Sequence, residues 1–181
     1  ILNSTFKTLG PMEAEDFSHA LGLKLLEMKE EGYTAYADVS LELSQSIRNQ
    51  LDGYTGFSSM AEAVKSKAYT RARINRALLH ILLGMREERR QELKENQYVP
   101  YLRILGFKKS AAPLLTALKA NASLPLVTKV ASAKNQLSPK ACGFFEEDLA
   151  ASHLYRMTAA IKFGNPSLPT EYTAGLVILS Q

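Results

Sequence analysis

The stretch from Thr70 to Gly84 constrains this chain more than any other. Ile74, Ala77, Leu78, Ile81 and Leu82 fall at i, i+3, i+4, i+7 and i+8, which places five apolar side chains along one stripe of an α-helix. Thr70 offers an N-cap and Gly84 a stop. A stripe of this kind has to be covered, so neighbouring segments must supply a helical core. Phe17, Leu21, Leu25 and Met28 predict a helix over 15–30 closed near Gly32. Ser40 as N-cap, followed by Leu43, Ile47 and Leu51 at steps of four, predicts a second that stops before Gly53. Ser59-Met60-Ala61-Glu62 fits a capping box and predicts a short helix over 60–68.

After Pro100 the texture changes. Tyr101 to Phe107 and Leu124 to Val130 are short, β-branched or aromatic-rich and bounded by Pro, Gly or Asn, so both predict strands. Pro113 with Leu114, Leu115, Ala117 and Leu118 predicts a helix carrying proline in its first turn. Leu149, His153, Leu154, Met157 and Ile161 predict one over 145–162, with Glu146, Glu147 and Asp148 at its N-terminal end and Gly164-Asn165-Pro166 as its stop. Arg86 to Glu95 reads as a solvated continuation or loop, and Leu176 to Leu179 as a strand or a packing segment. The fold class expected is α+β, predominantly helical: a helical module over 1–97, then a small α+β portion over 98–181.

The 181 residues carry a net charge of +4 and are 46% hydrophobic, which excludes disorder and fibrous architectures. That mild total is unevenly spread: residues 1–60 hold 4 basic and 9 acidic side chains, 61–110 hold 12 and 5, and 111–181 hold 6 and 4. An acidic first third and a basic centre suggest one face that meets a polyanion. A single cysteine, Cys142, excludes internal disulfides and fits a reducing, cytoplasmic setting. No run approaches the ~18 apolar residues of a membrane span. The chain starts at Ile1 without an initiator methionine, as a segment of a longer polypeptide would, and as a chain left by tag removal or processing would.

Within Lys65 to Arg76, five of twelve residues are basic and none is acidic. Lys65, Lys67, Arg71, Arg73 and Arg76 lie across a helix junction, with Arg73, Arg76 and His80 on one flank of the apolar stripe. Guanidinium groups there suit phosphate oxygens, although pairing with the acidic first third is an equally open reading. Lys108 and Lys109 extend the basic set, and Tyr69, Tyr98, Tyr101 and Phe107 lie nearby in sequence as stacking candidates or core-edge covers. No Gly-rich phosphate loop, Gly-x-Ser-x-Gly or His-Glu-x-x-His occurs. His19, His80 and His153 lack metal-ligand spacing, His80 and His153 sit on or beside apolar stripes, and Cys142 lies just before an expected helix start without a placed histidine. No catalytic residue and no metal ligand is assigned.

Three blocks carry a resemblance: Phe57-Ser58-Ser59-Met60 leading into Val64 through Leu83, Pro100-Tyr101-Leu102-Arg103-Ile104-Leu105-Gly106-Phe107, and Leu124-Pro125-Leu126-Val127-Thr128-Lys129. Together they resemble the C-terminal half of the bacterial tRNA(Met) cytidine acetate ligase family. The resemblance implies a parent enzyme that activates acetate with ATP to acetyl-adenylate and acetylates the wobble cytidine of elongator tRNA(Met). It also implies that the His-x-Gly-His adenylating site lies in an N-terminal nucleotidyltransferase domain. No such motif occurs in this chain.

By that resemblance the segment is the appended, noncatalytic region that holds tRNA, with ATP used only in the parent. The family's Lys-x-Lys-x-Tyr-Thr-x-x-Arg-Ile-x-Arg pattern falls on Lys65, Lys67, Tyr69, Thr70, Arg73, Ile74 and Arg76, with Ala68 where a basic residue is expected. Arg71, Arg103, Lys108 and Lys109 complete the candidate RNA-binding set. The rival reading is a structural or dimerisation module with no RNA contact. A third sees in Lys65-Ser66-Lys67 a likeness to the ATP loop of class I aminoacyl-tRNA synthetases.

Overall fold

The computed structural model describes residues 11–95, 100–164 and 168–180. Two compact units emerge: the described residues of Ile1–Glu92 and Met157–Pro166 form the first, and those of Leu93–Arg156 and Ser167–Gln181 the second. The expected 97/98 boundary, Tyr98 and the Asn165-Pro166 stop all lie outside the described residues.

In the first unit, α1 (Ser18–Glu27) follows a 3₁₀ turn and precedes α2 (Leu41–Gln50), α3 (Phe57–Ala63), α4 (Arg71–Leu83) and the larger part of α5 (Glu87–Glu95), whose last three residues fall in the second. The stripe read from the sequence is the centre of the core: Ile74, Ala77, Leu78 and Ile81 are fully buried against Leu21, Leu25, Leu43, Ile47, Phe57 and Met60. Thr70 caps α4 by accepting the Arg73 N–H at 3.3 Å, and Gly84 ends it in the left-handed region at φ 71°. Ser40 caps α2 through the Leu43 N–H. The charged stretch Glu87–Glu95 is a helix with no buried residue, laced by Arg90–Glu87 and Arg89–Glu92 pairs.

Helix α3 corrects the capping-box expectation. It begins at Phe57, so Ser59 lies inside it and gives its hydroxyl to the Gly56 carbonyl. Its free N–H groups are instead met from the first helical segment: Ser18 Oγ accepts from Phe57 N and Glu15 Oε2 from Ser58 N, both at 2.9 Å. A tertiary cap has taken the place of a local one.

The second unit is a small α/β arrangement. β1 (Leu102–Arg103) pairs in parallel with β3 (Leu126–Val127), and β2 (Gly106–Lys108) in parallel with β4 (Val177–Leu179). The stretch expected as one strand over 101–107 is therefore divided between two partners. Gly106 permits this, because a Cβ there would lie 2.6 Å from the Val177 carbonyl oxygen. Helices α6 (Ala112–Asn121), with Pro113 in its first turn, and α7 (Val130–Gln136) precede α8 (Pro139–Lys162), whose residues fall in both units.

Helix α8 starts six residues before the expected 145. Glu146 and Asp148 are thus interior: Glu146 pairs with Lys134 at 2.9 Å, and Asp148 accepts the Tyr101 hydroxyl at 2.6 Å. Cys142 sits in its first turn, with its N–H on the Ser138 carbonyl. The expected apolar face also fails beyond Leu149. Ala141, Phe145 and Leu149 recur at steps of four in the second core, whereas Thr158 and Ala159 are buried near the other end and His153, Met157 and Ile161 are exposed. One helix serving two units cannot keep a single buried face along 24 residues. No described helix is long and apolar enough to cross a membrane.

Candidate nucleic-acid interface

The basic cluster folds as a tight turn followed by the first turns of α4. Tyr69 donates its N–H to the Ser66 carbonyl at 3.3 Å, which turns the lysine-bearing segment 65–67 back before Thr70 starts the helix. Each cation then has a definite setting. Lys65 and Arg71 both reach Glu62, at 3.4 and 2.8 Å. Arg76 donates from Nε to Asp38 Oδ2 at 2.7 Å. Arg73 stands over the Tyr69 ring, 4.9 Å from its centroid. Lys67 is exposed and has no ion-pair partner among the described residues.

Tyr69 is fixed in turn. Its hydroxyl shares a 2.5 Å hydrogen bond with Ser40, the cap of α2, and lies 3.4 Å from Glu42 Oε2. The Glu42 N–H and the Ser40 and Tyr69 hydroxyls hold the Glu42 carboxyl below the usual carboxylate range. The ring that the sequence offered as a stacking face is therefore covered on one side by Arg73 and packed at the core edge.

Asp38 organises the other end of the cluster. His80 Nδ1 lies 3.0 Å from the Ala37 carbonyl oxygen and 3.3 Å from Asp38 Oδ2. A carbonyl can only accept, so this nitrogen carries the proton. Asp38 is the one non-glycine residue with positive φ (63°) among those described, and its segment is clamped by Ala37 N to Met85 O and Glu87 N to Ala35 O. Nothing near Asp38 in the sequence signals this role, because its partners lie about forty positions away on α4.

Two of the three cluster arginines are thus tied to carboxylates, which the structural-module reading expects. The pairs are weak ties: the Arg71 and Arg76 side chains remain 55% and 58% exposed, and exposed ion pairs contribute about 0–1 kcal/mol. A polyphosphate strand can compete for cations held so loosely.

Arg103, Lys108 and Lys109 belong to the second unit. Lys108 and Lys109 are exposed with no ion-pair partner among the described residues. Arg103 is four-fifths buried, gives one N–H to Glu171 and lies 5.7 Å from the Phe145 ring centroid. Ser152 donates to the other Glu171 oxygen. Burial alone raises the Glu171 carboxyl, and the Ser152 and Arg103 donors outweigh it, so it titrates below the usual range. Tyr101, the other stacking candidate, is occupied: it packs edge-on against Phe145 and donates to Asp148, and burial with that carboxylate pushes its phenol far up. A cavity of about 200 Å³ opens beside Arg103, between the carboxyl ends of β1 and β3 and the 171–177 segment.

Comparison with known proteins places the chain among relatives. The family described as HIGH nucleotidyl transferase matches residues 1–166. The tRNA(Met) cytidine acetate ligase of a Thermoanaerobacter species is 34% identical over 158 residues, covering 87% of this chain and 38% of that protein. The enzyme of the same name from Acetivibrio thermocellus is 28% identical over 173 residues, 94% of this chain and 41% of that one. Crystal structures of Thermotoga maritima TmcAL, one apo and one bound with alpha-thio ATP, share the fold at a TM-score of 0.85 and 18% identity, over 99% of this chain and 44–45% of theirs. The chain therefore spans about two-fifths of the length of the curated relatives it matches.

Proposed function

We propose that this chain, which belongs to the HIGH nucleotidyl transferase family, is a tRNA-contacting region of an ATP-dependent ligase that acetylates the wobble cytidine of elongator tRNA(Met). Its relatives carry the name tRNA(Met) cytidine acetate ligase. The observation that carries the reading is the 65–76 cluster: five cations, no acid within it, its arginines exposed and Arg73 braced on Tyr69. Phosphate tracking is what such a surface does best.

Activation of acetate with ATP belongs, on this reading, to residues outside the chain. The sequence has no Gly-rich phosphate loop and no His-x-Gly-His motif. The cavity beside Arg103, about 200 Å³, is smaller than the roughly 300–1,000 Å³ that pockets for drug-sized ligands occupy.

Binding of tRNA(Met) across a salt series tests the assignment. Arg73→Ala with Arg76→Ala should reduce the slope of log affinity against log salt by about one for each phosphate contact removed. An unchanged slope would refute it. The Arg71–Glu62 and Arg76–Asp38 pairs favour a second reading, a structural or dimerisation module. That reading expects the same double variant to lower stability or shift the oligomeric mass without altering tRNA affinity.

A further inference from the structure

The cavity of the second unit has a composition that points to one ligand. β1 and β3 are parallel, so their carboxyl ends open on the same edge, the place where open α/β sheets take ligands. The walls there are aliphatic: Ile104, Val127, Val130, Leu176 and Val177. At one side lie Arg103 and Glu171, a donor and an acceptor side by side whose charges cancel. Glu171 Oε1 and Oε2 each accept one hydrogen bond and keep a further lone pair. Arg103, which lines the cavity, makes its one side-chain hydrogen bond among the described residues to Glu171, and a guanidinium has five N–H donors. Lys129 is exposed at the rim.

Apolar walls, an adjacent donor and acceptor, no net charge inside and one cation at the mouth suit a neutral planar group with a polar edge and a phosphate behind it. We infer that this cavity seats a single unpaired nucleobase of the RNA, its edge on Arg103 and Glu171 and its 5′ or 3′ phosphate at Lys129. The inference rests on the RNA-contacting reading and names a second contact for it, distinct from the 65–76 cluster. Bases taken out of a stack are held in this way, by apolar side chains on their faces and hydrogen bonds on their edges. A small carboxylate such as acetate is disfavoured, because the Glu171 carboxylate would face it.

The test uses the 181-residue chain. Backbone amide spectra covering Val127, Thr128 and Val130 are recorded against the four ribonucleoside 5′-monophosphates, ribose 5-phosphate and acetate. Nucleotides should shift these signals strongly, ribose 5-phosphate only weakly through its phosphate at Lys129, and acetate not at all. Equal shifts with ribose 5-phosphate or acetate, or none with any nucleotide, would overturn the base site.

Gly175 lines the cavity, and a Cβ there meets nothing within 4 Å, so Gly175→Leu plugs the space without a backbone clash. It should abolish the nucleotide shifts and weaken tRNA binding about tenfold, the change that ~1.4 kcal/mol of lost contact gives, with the salt slope falling by no more than about one, for the single phosphate at Lys129. Full tRNA affinity in Gly175→Leu would overturn the inference while leaving the cluster reading intact. Absence of tRNA binding by the unmodified chain would overturn both.

Discussion

Arg76 donates from Nε to Asp38 Oδ2 at 2.7 Å, and Asp38 offers that oxygen from a left-handed backbone with φ 63°. The same carboxylate oxygen lies 3.3 Å from His80 Nδ1, so one residue of the acidic first third positions two side chains of the basic helix. It also cancels part of the Arg76 charge. Asp38→Asn keeps a side chain that tolerates the left-handed region and removes the charge. It should tighten tRNA binding about two- to fivefold, the range that ~0.5–1 kcal/mol from an exposed pair provides. Weaker binding would mean that Asp38 orients Arg76 rather than competing for it. Asp38→Ala should be less stable than Asp38→Gly by about 1 kcal/mol in urea denaturation, because only glycine takes this φ without strain.

Glu15 and Ser18 cap α3 from outside it. The Ser58 N–H and hydroxyl, with the Ser18 and Phe57 donors, pull the Glu15 carboxyl below its ordinary 4.5 against the opposing effect of burial. A carboxyl lowered on folding stabilises the native state above its unfolded value and loses that contribution as pH falls through the folded value. Glu15→Ala should therefore cost about 1 kcal/mol or less at pH 7, as expected for a lost cap that is partly solvent-screened. The difference from wild type should shrink steadily below pH 4.5. Urea midpoints measured across that range check it, and a cost independent of pH would assign the effect to packing.

Gly22 lies within α1, where a Cβ would come 2.8 Å from Tyr54 Cε1. Tyr54 cannot swing away freely, because its hydroxyl donates to the Ser18 carbonyl at 2.6 Å and burial holds its phenol at about 12. Gly22→Ala gains about 1 kcal/mol of helix propensity and loses about 1–3 kcal/mol to overpacking, so the single variant should be destabilised. With Tyr54→Ala in the background the same change should become stabilising. A double-mutant cycle in urea gives the coupling, and additive effects would show that the ring moves at no cost.

Much of the helical half was legible in sequence. Ser40, Thr70 and Gly84 mark real helix ends, and the Leu43, Ile47, Ile74, Leu78 and Ile81 positions are all core, because caps and i, i+4 spacing act within a few residues. The apparent capping box at Ser59 and the apolar face through Met157 and Ile161 misled for one reason. Each local pattern was overridden by a partner distant in sequence: the Glu15 and Ser18 caps in the first case, and in the second a helix whose two ends are buried in different units. Arg103 was picked out by its block, but neither Glu171, 68 positions on, nor the cavity beside it has any local signature.

The sequence by itself determined where α2 and α4 start, which faces they bury, and that the positive charge gathers at 65–76. Periodicity, capping and charge are all written in neighbouring residues. Only the tertiary structure decided what that charge is tied to. Glu62, Asp38 and the Tyr69 ring reach the arginines through chain reversals, and Arg103 meets Glu171 only because strands separated by helices align in parallel. Those pairings depend on how the chain closes on itself, and loop closure leaves no trace in local composition.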